Sequence, residues 1–325
     1  MDLDKIDKKI LTELSKNIRE PITKVALKSG ISQESCLYRV NRLVETGIIK
    51  QFTLNLRLGY QFYKIAIKLA HNNKQKEKEF LDFLNNTQFV TWITTCSGDW
   101  NILFSIAAKS NKEFDKTLRN VTNFLGSNLG DYAIALDLES YVFTYKLLET
   151  HEKEIVNLAK KMTNTKIDLS EKDKLILREL YINPRIKISD LRIKTKIDPG
   201  TIKYRMKLLE KDKIITGYRL ILDLNKLGYL RFNLMLRVKD LSDEIIKSII
   251  TFSRQHKNVE FISRTIGSWD FELTIFVKDE RELQSFIFDL SDKFADKIKE
   301  TKSLILFDTL NKLYWPEEIA ENESK

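Results

Sequence analysis

The sequence is poor in the residues that most often carry metal or redox chemistry. It holds two cysteines, Cys36 and Cys96, and three histidines, His71, His151 and His256, in 325 residues. Neither cysteine sits in a Cys-x-x-Cys or Cys/His spacing, so no disulfide framework or zinc site is signalled, and both thiols read as small buried apolar groups. No run approaches the roughly 18 apolar residues of a membrane span. Residues 1–10 are too charged for a signal peptide, so the expectation is a cytoplasmic protein with no membrane partner. No cofactor, metal or catalytic group is expected from the pattern. What is present is an ordinary globular composition, 42% hydrophobic and 10% aromatic, with a net charge of +9. That surplus points to an acidic partner, and nucleic acid is the commonest one.

The most informative stretch is residues 32–47, SQESCLYRVNRLVETG. Ser32 is a good N-cap and Gly47 a good helix terminator. Leu37, Val40, Leu43 and Val44 are spaced as one apolar stripe, which leaves Gln33, Ser35, Tyr38, Arg39 and Arg42 on the other side. Upstream, residues 22–28 read as a short helix, Ser29-Gly30-Ile31 as a tight turn, and residues 4–14 as a supporting helix. This is the order of a helix-turn-helix, whose second helix enters the major groove. A single amphipathic helix with basic residues outside is ordinarily a solvated surface helix. Recurrence of the whole pattern lifts the DNA reading above that.

IDKKILTEL at residues 6–14 aligns with KDKLILREL at 172–180, and the offset of 166 residues holds through Ile49 and Ile215. It places Arg19 on Arg185, Tyr38-Arg39 on Tyr204-Arg205 and Leu43 on Leu209. Further on, Gly98-Asp99-Trp100-Asn101 matches Gly267-Ser268-Trp269-Asp270 at an offset of 169. A period this long means duplicated domains and not a solenoid.

After the first recognition helix, residues 48–56 alternate like a strand and are expected to form a wing, with Lys50, Gln51 and Arg57 near phosphates. Strand, helix, strand, strand, helix, strand then follow to residue 147, which is the split βαββαβ order of a ferredoxin-like α+β sandwich. The second copy repeats that order. Its recognition helix opens on Asp198-Pro199, cap then proline, and offers Thr201, Lys203, Tyr204, Arg205 and Lys207, but Leu208 replaces the counterpart of Arg42. The expected division is a winged helix-turn-helix at 1–57, a ferredoxin-like domain at 58–149, a helical connector at 150–167, a second winged helix-turn-helix at 168–226, a second ferredoxin-like domain at 227–315 and a flexible tail at 316–325.

With these motifs in hand, the chain resembles the Lrp/AsnC family, the leucine-responsive or "feast/famine" transcription regulators. The residues that carry the resemblance are IDKKIL, the run from Ser32 to Leu43, Gly47-Ile48-Ile49 and Gly98 to Asn101. The resemblance implies double-stranded DNA as partner, self-association through the ferredoxin-like domains and an amino-acid effector. The family carries one module per chain, so a duplicated chain is expected to be a covalent pseudo-dimer with two non-identical heads. The effector turn is usually close to Gly-Asp-Tyr-Asp. Here Gly98, Asp99, Gly267 and Asp270 are the corresponding positions, and each copy keeps one of the two acids. Two alternatives stand beside this reading. The same module resembles siroheme decarboxylase subunits, for which clustered histidines are wanted, and a chain with one degenerate head would serve as an oligomerisation adaptor.

Overall fold

The computed structural model describes residues 3–71, 73–143, 145–148, 160–161 and 168–311. The first copy runs α1 (Lys5–Lys16), α2 (Ile22–Ser29), α3 (Gln33–Glu45), β1 (Ile49–Leu56), β2 (Gln61–Leu69), α4 (Lys74–Asn86), β3 (Val90–Ser97), β4 (Ile102–Ala108), α5 (Asn111–Leu125) and β5 (Leu129–Val142). A two-residue strand, β6 (Lys160–Lys161), pairs with β5. The second copy runs α6 (Glu171–Ile182), α7 (Ile188–Thr195), α8 (Pro199–Lys211), β7 (Ile215–Leu222), β8 (Leu230–Val238), α9 (Asp243–Gln255), β9 (Val259–Gly267), β10 (Phe271–Val277), α10 (Glu280–Phe294) and β11 (Ile298–Asn311). Both copies thus have three helices, a wing strand and a βαββαβ unit. The expected connector helix lies outside the described residues except at 160–161, which are extended. The expected tail at 316–325 also lies outside them.

The eight long strands of the two βαββαβ units close on one another. Their order is β2-β4-β3-β11-β8-β10-β9-β5, and β5 returns to pair with β2. The joins between copies are β3 with β11 and β5 with β9. Alternation along each strand explains why both faces are apolar. Ile65 and Ile67 of β2 pack outward under α4 and α5, while Ala66 between them points into the barrel with Trp100, Leu103, Met235 and Trp269. An eight-stranded barrel is just wide enough for side chains to fill. Its interior also holds a buried ion pair, Lys64 Nζ to Glu272 Oε1 at 3.1 Å, and Asn233 Nδ2 donates to the same oxygen at 2.9 Å. The copies differ here, since Leu103 stands where the second copy has Glu272. Among the described residues each of these eight strands has a neighbour on both sides, so edges of the kind that recruit another chain are largely used within this one.

The heads are joined as closely as the barrel. β1 pairs antiparallel with β7 of the other copy, with Phe52 opposite Leu220 and Leu54 opposite Tyr218. Each wing strand therefore completes the other copy's head. Leu54 and Leu58 lie in the core formed by α6, α7 and α8, whereas Leu220 and Leu222 lie in the core formed by α1, α2 and α3. The first core also takes in Tyr145, Leu148 and Phe276. Two arginines stitch the heads directly. Arg19 donates to the carbonyls of Pro184 and Ile186 and lies 5.5 Å from the Tyr218 ring centroid, and its counterpart Arg185 lies 5.0 Å from the Phe52 ring centroid.

Candidate nucleic-acid interface

The turn between α2 and α3 is built as the sequence requires. Gly30 closes α2 at φ +73°, a left-handed conformation that glycine adopts without strain. Ser32 Oγ then accepts from the Ser35 N–H at 3.2 Å and starts α3. In the second head Lys196 takes the left-handed position at φ +57°, and Asp198 Oδ1 accepts from the Thr201 N–H at 3.0 Å with Pro199 opening the helix.

The buried face of α3 is one step out of phase with the expected stripe. Cys36, Val40 and Leu43 are buried, while Leu37 is 46% and Val44 44% exposed. A 3.6-residue period places positions 36, 40 and 43 together, and a stripe drawn through Leu37 and Val44 leaves Cys36 out although its thiol reads as buried. The same rotation turns Arg39 inward. Its Nη1 lies 2.6 Å from Asp4 Oδ2 and 2.9 Å from Asp7 Oδ1, and Arg42 Nη2 lies 2.6 Å from Asp7 Oδ2. Asp7 is 1% exposed. It also receives the Asp4 N–H in the capping box of α1, so one carboxylate ties the supporting helix to the recognition helix. The second head repeats the device with Asp173, which is bound by Arg205 and by Ser170. Burial alone would push the Asp173 carboxyl up, but Arg205 and Ser170 outweigh it and hold it below the usual carboxylate range. The Asp7 N–H and then the Arg39 guanidinium likewise hold Asp4 low.

Arg39, Arg42 and Arg205, expected at phosphates, are thus engaged with carboxylates of their own heads. Lys50 is placed elsewhere again, with Nζ donating to the Thr309 carbonyl of the last barrel strand at 2.7 Å. The outward side chains are Gln33, Tyr38 (68% exposed), Lys203, Tyr204 (64% exposed) and Lys207, with Ser35 and Thr201 half-buried beside them. Lys203 and Lys207 make no ion pair among the described residues.

Of the four turn residues expected to hold an effector, Gly98, Asp99 and Gly267 lie where the copies meet. A side chain at Gly98 would meet Leu304, and one at Gly267 would come within 2.4 Å of the Ile134 carbonyl, so glycine is needed for close approach. Asp99 pairs with Lys302 of the other copy at 3.1 Å. Its counterpart Ser268 donates its N–H to the Ile134 carbonyl at 2.8 Å. Asp270 is buried and accepts from the Val238 N–H at 2.9 Å and from Arg237. Asn101 does the same for the Leu69 N–H at 2.8 Å. The turns therefore lock strand ends and seal the join between copies. Sequence spacing had no signal for the seal, because the partners of Gly98, Asp99, Gly267 and Ser268 lie in the other copy.

Comparison with known proteins agrees with the geometry. A model described as winged helix-turn-helix DNA-binding matches residues 3–50 and again 169–216. An uncharacterized helix-turn-helix transcriptional regulator of Pyrococcus furiosus is 33% identical over 35% of this chain and 79% of the relative. The transcriptional regulator LrpA of Pyrococcus horikoshii is 33% identical over 36% of this chain and 84% of LrpA. A crystal structure of the siroheme decarboxylase NirDL shares the fold across 97% of this chain and 96% of its own, with a TM-score of 0.62 at 18% identity. Each regulator spans about one module, and the decarboxylase likeness, at that identity, is one of fold. The chain belongs to the Lrp/AsnC family of DNA-binding transcriptional regulators and carries the family module twice.

Proposed function

We propose that the chain acts as a covalent pseudo-dimer, one polypeptide supplying two non-identical reading heads for a single asymmetric DNA site. The observation that carries this reading is the interleaving of the heads, since β1 pairs with β7 and each wing lies in the other head's core. Recognition helices fixed to one rigid unit would occupy major grooves about 34–36 Å apart, or a multiple of that, so spacing becomes part of specificity. Gln33, Ser35 and Tyr38 in the first head, and Thr201 and Tyr204 in the second, are the candidates for base edges. Lys203 and Lys207 are the candidates for phosphates, and Arg39, Arg42 and Arg205 orient the helices that carry them.

An amino-acid effector, where one acts, would have to bind two assembly states with different affinity. Asp99 is the turn acid that solvent can reach, so the first copy is the better candidate. Self-association of the barrel type is met within the chain. The decarboxylase alternative rests on the shared fold, whereas the regulator reading has identity of 33% over most of a module behind it.

Selection of preferred sites from random duplex DNA tests the proposal. The expected result is a two-part site without palindromic symmetry, in which Tyr38→Ala relaxes preference in one half and Tyr204→Ala in the other. A perfect palindrome, or a site relaxed equally in both halves by either variant, would contradict it.

A further inference from the structure

We infer that the two heads divide the work of binding, the second recognition helix anchoring the chain on phosphates and the first docking with no free cation of its own. This rests on the DNA-binding reading above and adds the direction of its asymmetry. The recognition helix of the first head, residues 33–45, has Arg39 and Arg42 balanced by Glu34 and Glu45, a net charge of zero. Both arginines are engaged by Asp7, with Asp4 sharing Arg39. No mobile cation is left on that helix. The matching residues 199–211 carry Lys203, Arg205, Lys207 and Lys211 against Glu210, a net charge of +3. Only Arg205 is engaged inward.

The difference is concentrated on the outer face. Lys203 stands where the first head has Leu37, Lys207 where it has Asn41, and Lys211 where it has Glu45, and all six positions are exposed. The exposed end of α7 extends the same basic surface with Arg192 and Lys196, where the first head has Ala26 and Gly30, while the exposed lysines of α2, Lys24 and Lys28, are paired with Glu20 and Glu13. Phosphate binding releases counterions, so each lysine–phosphate contact steepens the salt dependence of affinity by about one unit in log K against log salt. A helix that presents Leu37, Tyr38 and Val44 without free cations contributes little to that slope. It suits apolar contact with thymine methyl groups and hydrogen bonding from Gln33. Leu208 in place of the Arg42 counterpart removes no phosphate contact, because Arg42 itself is held by Asp7. The second head is the electrostatic anchor and not the degenerate one.

The test is affinity for one selected duplex across a salt series, with the full chain and two double variants of exposed residues. Lys203→Ala/Lys207→Ala is expected to flatten the slope by roughly two units. Leu37→Lys/Asn41→Lys is expected to steepen it by a similar amount, because it installs the second head's cations on the first. Circular dichroism confirms that each variant keeps its helices. Footprinting of the wild-type chain at rising salt is expected to show protection of the first head's half-site fading first, leaving the second. An unchanged slope for the lysine-to-alanine pair, or simultaneous loss of both half-sites, would overturn the division of labour while leaving the DNA-binding reading intact. Failure of the wild-type chain to select any duplex would instead overturn the DNA-binding reading itself.

Discussion

At the scale of single residues, two buried aspartates hold the recognition helices in place. Asp7 and Asp173 are each 1% exposed, and each holds a recognition-helix arginine against the supporting helix. Removing one member of a buried pair strands the other, at a typical cost of 3–5 kcal/mol. For Asp173→Ala the expected loss is about 3 kcal/mol, at the low end because Arg205 stays partly wet. Chemical denaturation measures it. The sign of the pH dependence follows from the depressed Asp173 carboxyl. Its contribution is fully present above the unfolded value of about 3.9 and is lost as pH falls through the lower folded value. Wild-type stability should therefore fall more steeply than that of the variant below about pH 4. A parallel fall would show that the pair contributes nothing. The aspartates themselves were visible in the sequence, as IDKKIL and EKDKLIL. Their partners were not, because a stripe drawn through Leu37 and Val44 in place of Cys36 makes Arg39 face outward.

At the scale of elements, order was far more legible than pairing. Caps, turns and period gave three helices, a wing and βαββαβ in each copy, and the structure has them in that order. The connections between copies were not legible, since nothing local in residues 49–56 says that the strand pairs with 215–222. Leu54 makes the point. It belongs to the first copy by sequence, yet it packs with Ile176, Leu177 and Leu209 in the second head. Leu54→Ala is predicted to destabilise by about 2–5 kcal/mol, the usual range for a buried leucine. Hydrogen exchange should localise the loss to α6, α7 and α8 and leave α1, α2 and α3 protected. Faster exchange confined to the first head would mean that the wings are not interleaved in this way. The turn glycines belong to the same lesson. Gly98 and Gly267 read as positions of an effector turn, but their want of a side chain is set by strands of the opposite copy.

At the scale of the whole molecule, duplication turns contacts of a kind that could join two chains into contacts within one. The eight-stranded barrel closes on itself, the β1–β7 ribbon joins the heads, and Arg19 and Arg185 reach from each head to the aromatic ring on the other's wing. Once both copies sit in one chain they are free to diverge, and they have done so. Glu272, buried against Lys64 inside the barrel, stands where the first copy has Leu103, and one recognition helix is neutral where the other is basic. The central claim is that this single chain, with its unlike heads, is the DNA-reading unit. Its most direct test is the mass of the complex formed on the selected duplex, measured by sedimentation or native mass spectrometry at low protein concentration. One chain per asymmetric site is the predicted result. Two chains disposed symmetrically on a palindrome, with no one-chain complex at any concentration, would contradict it.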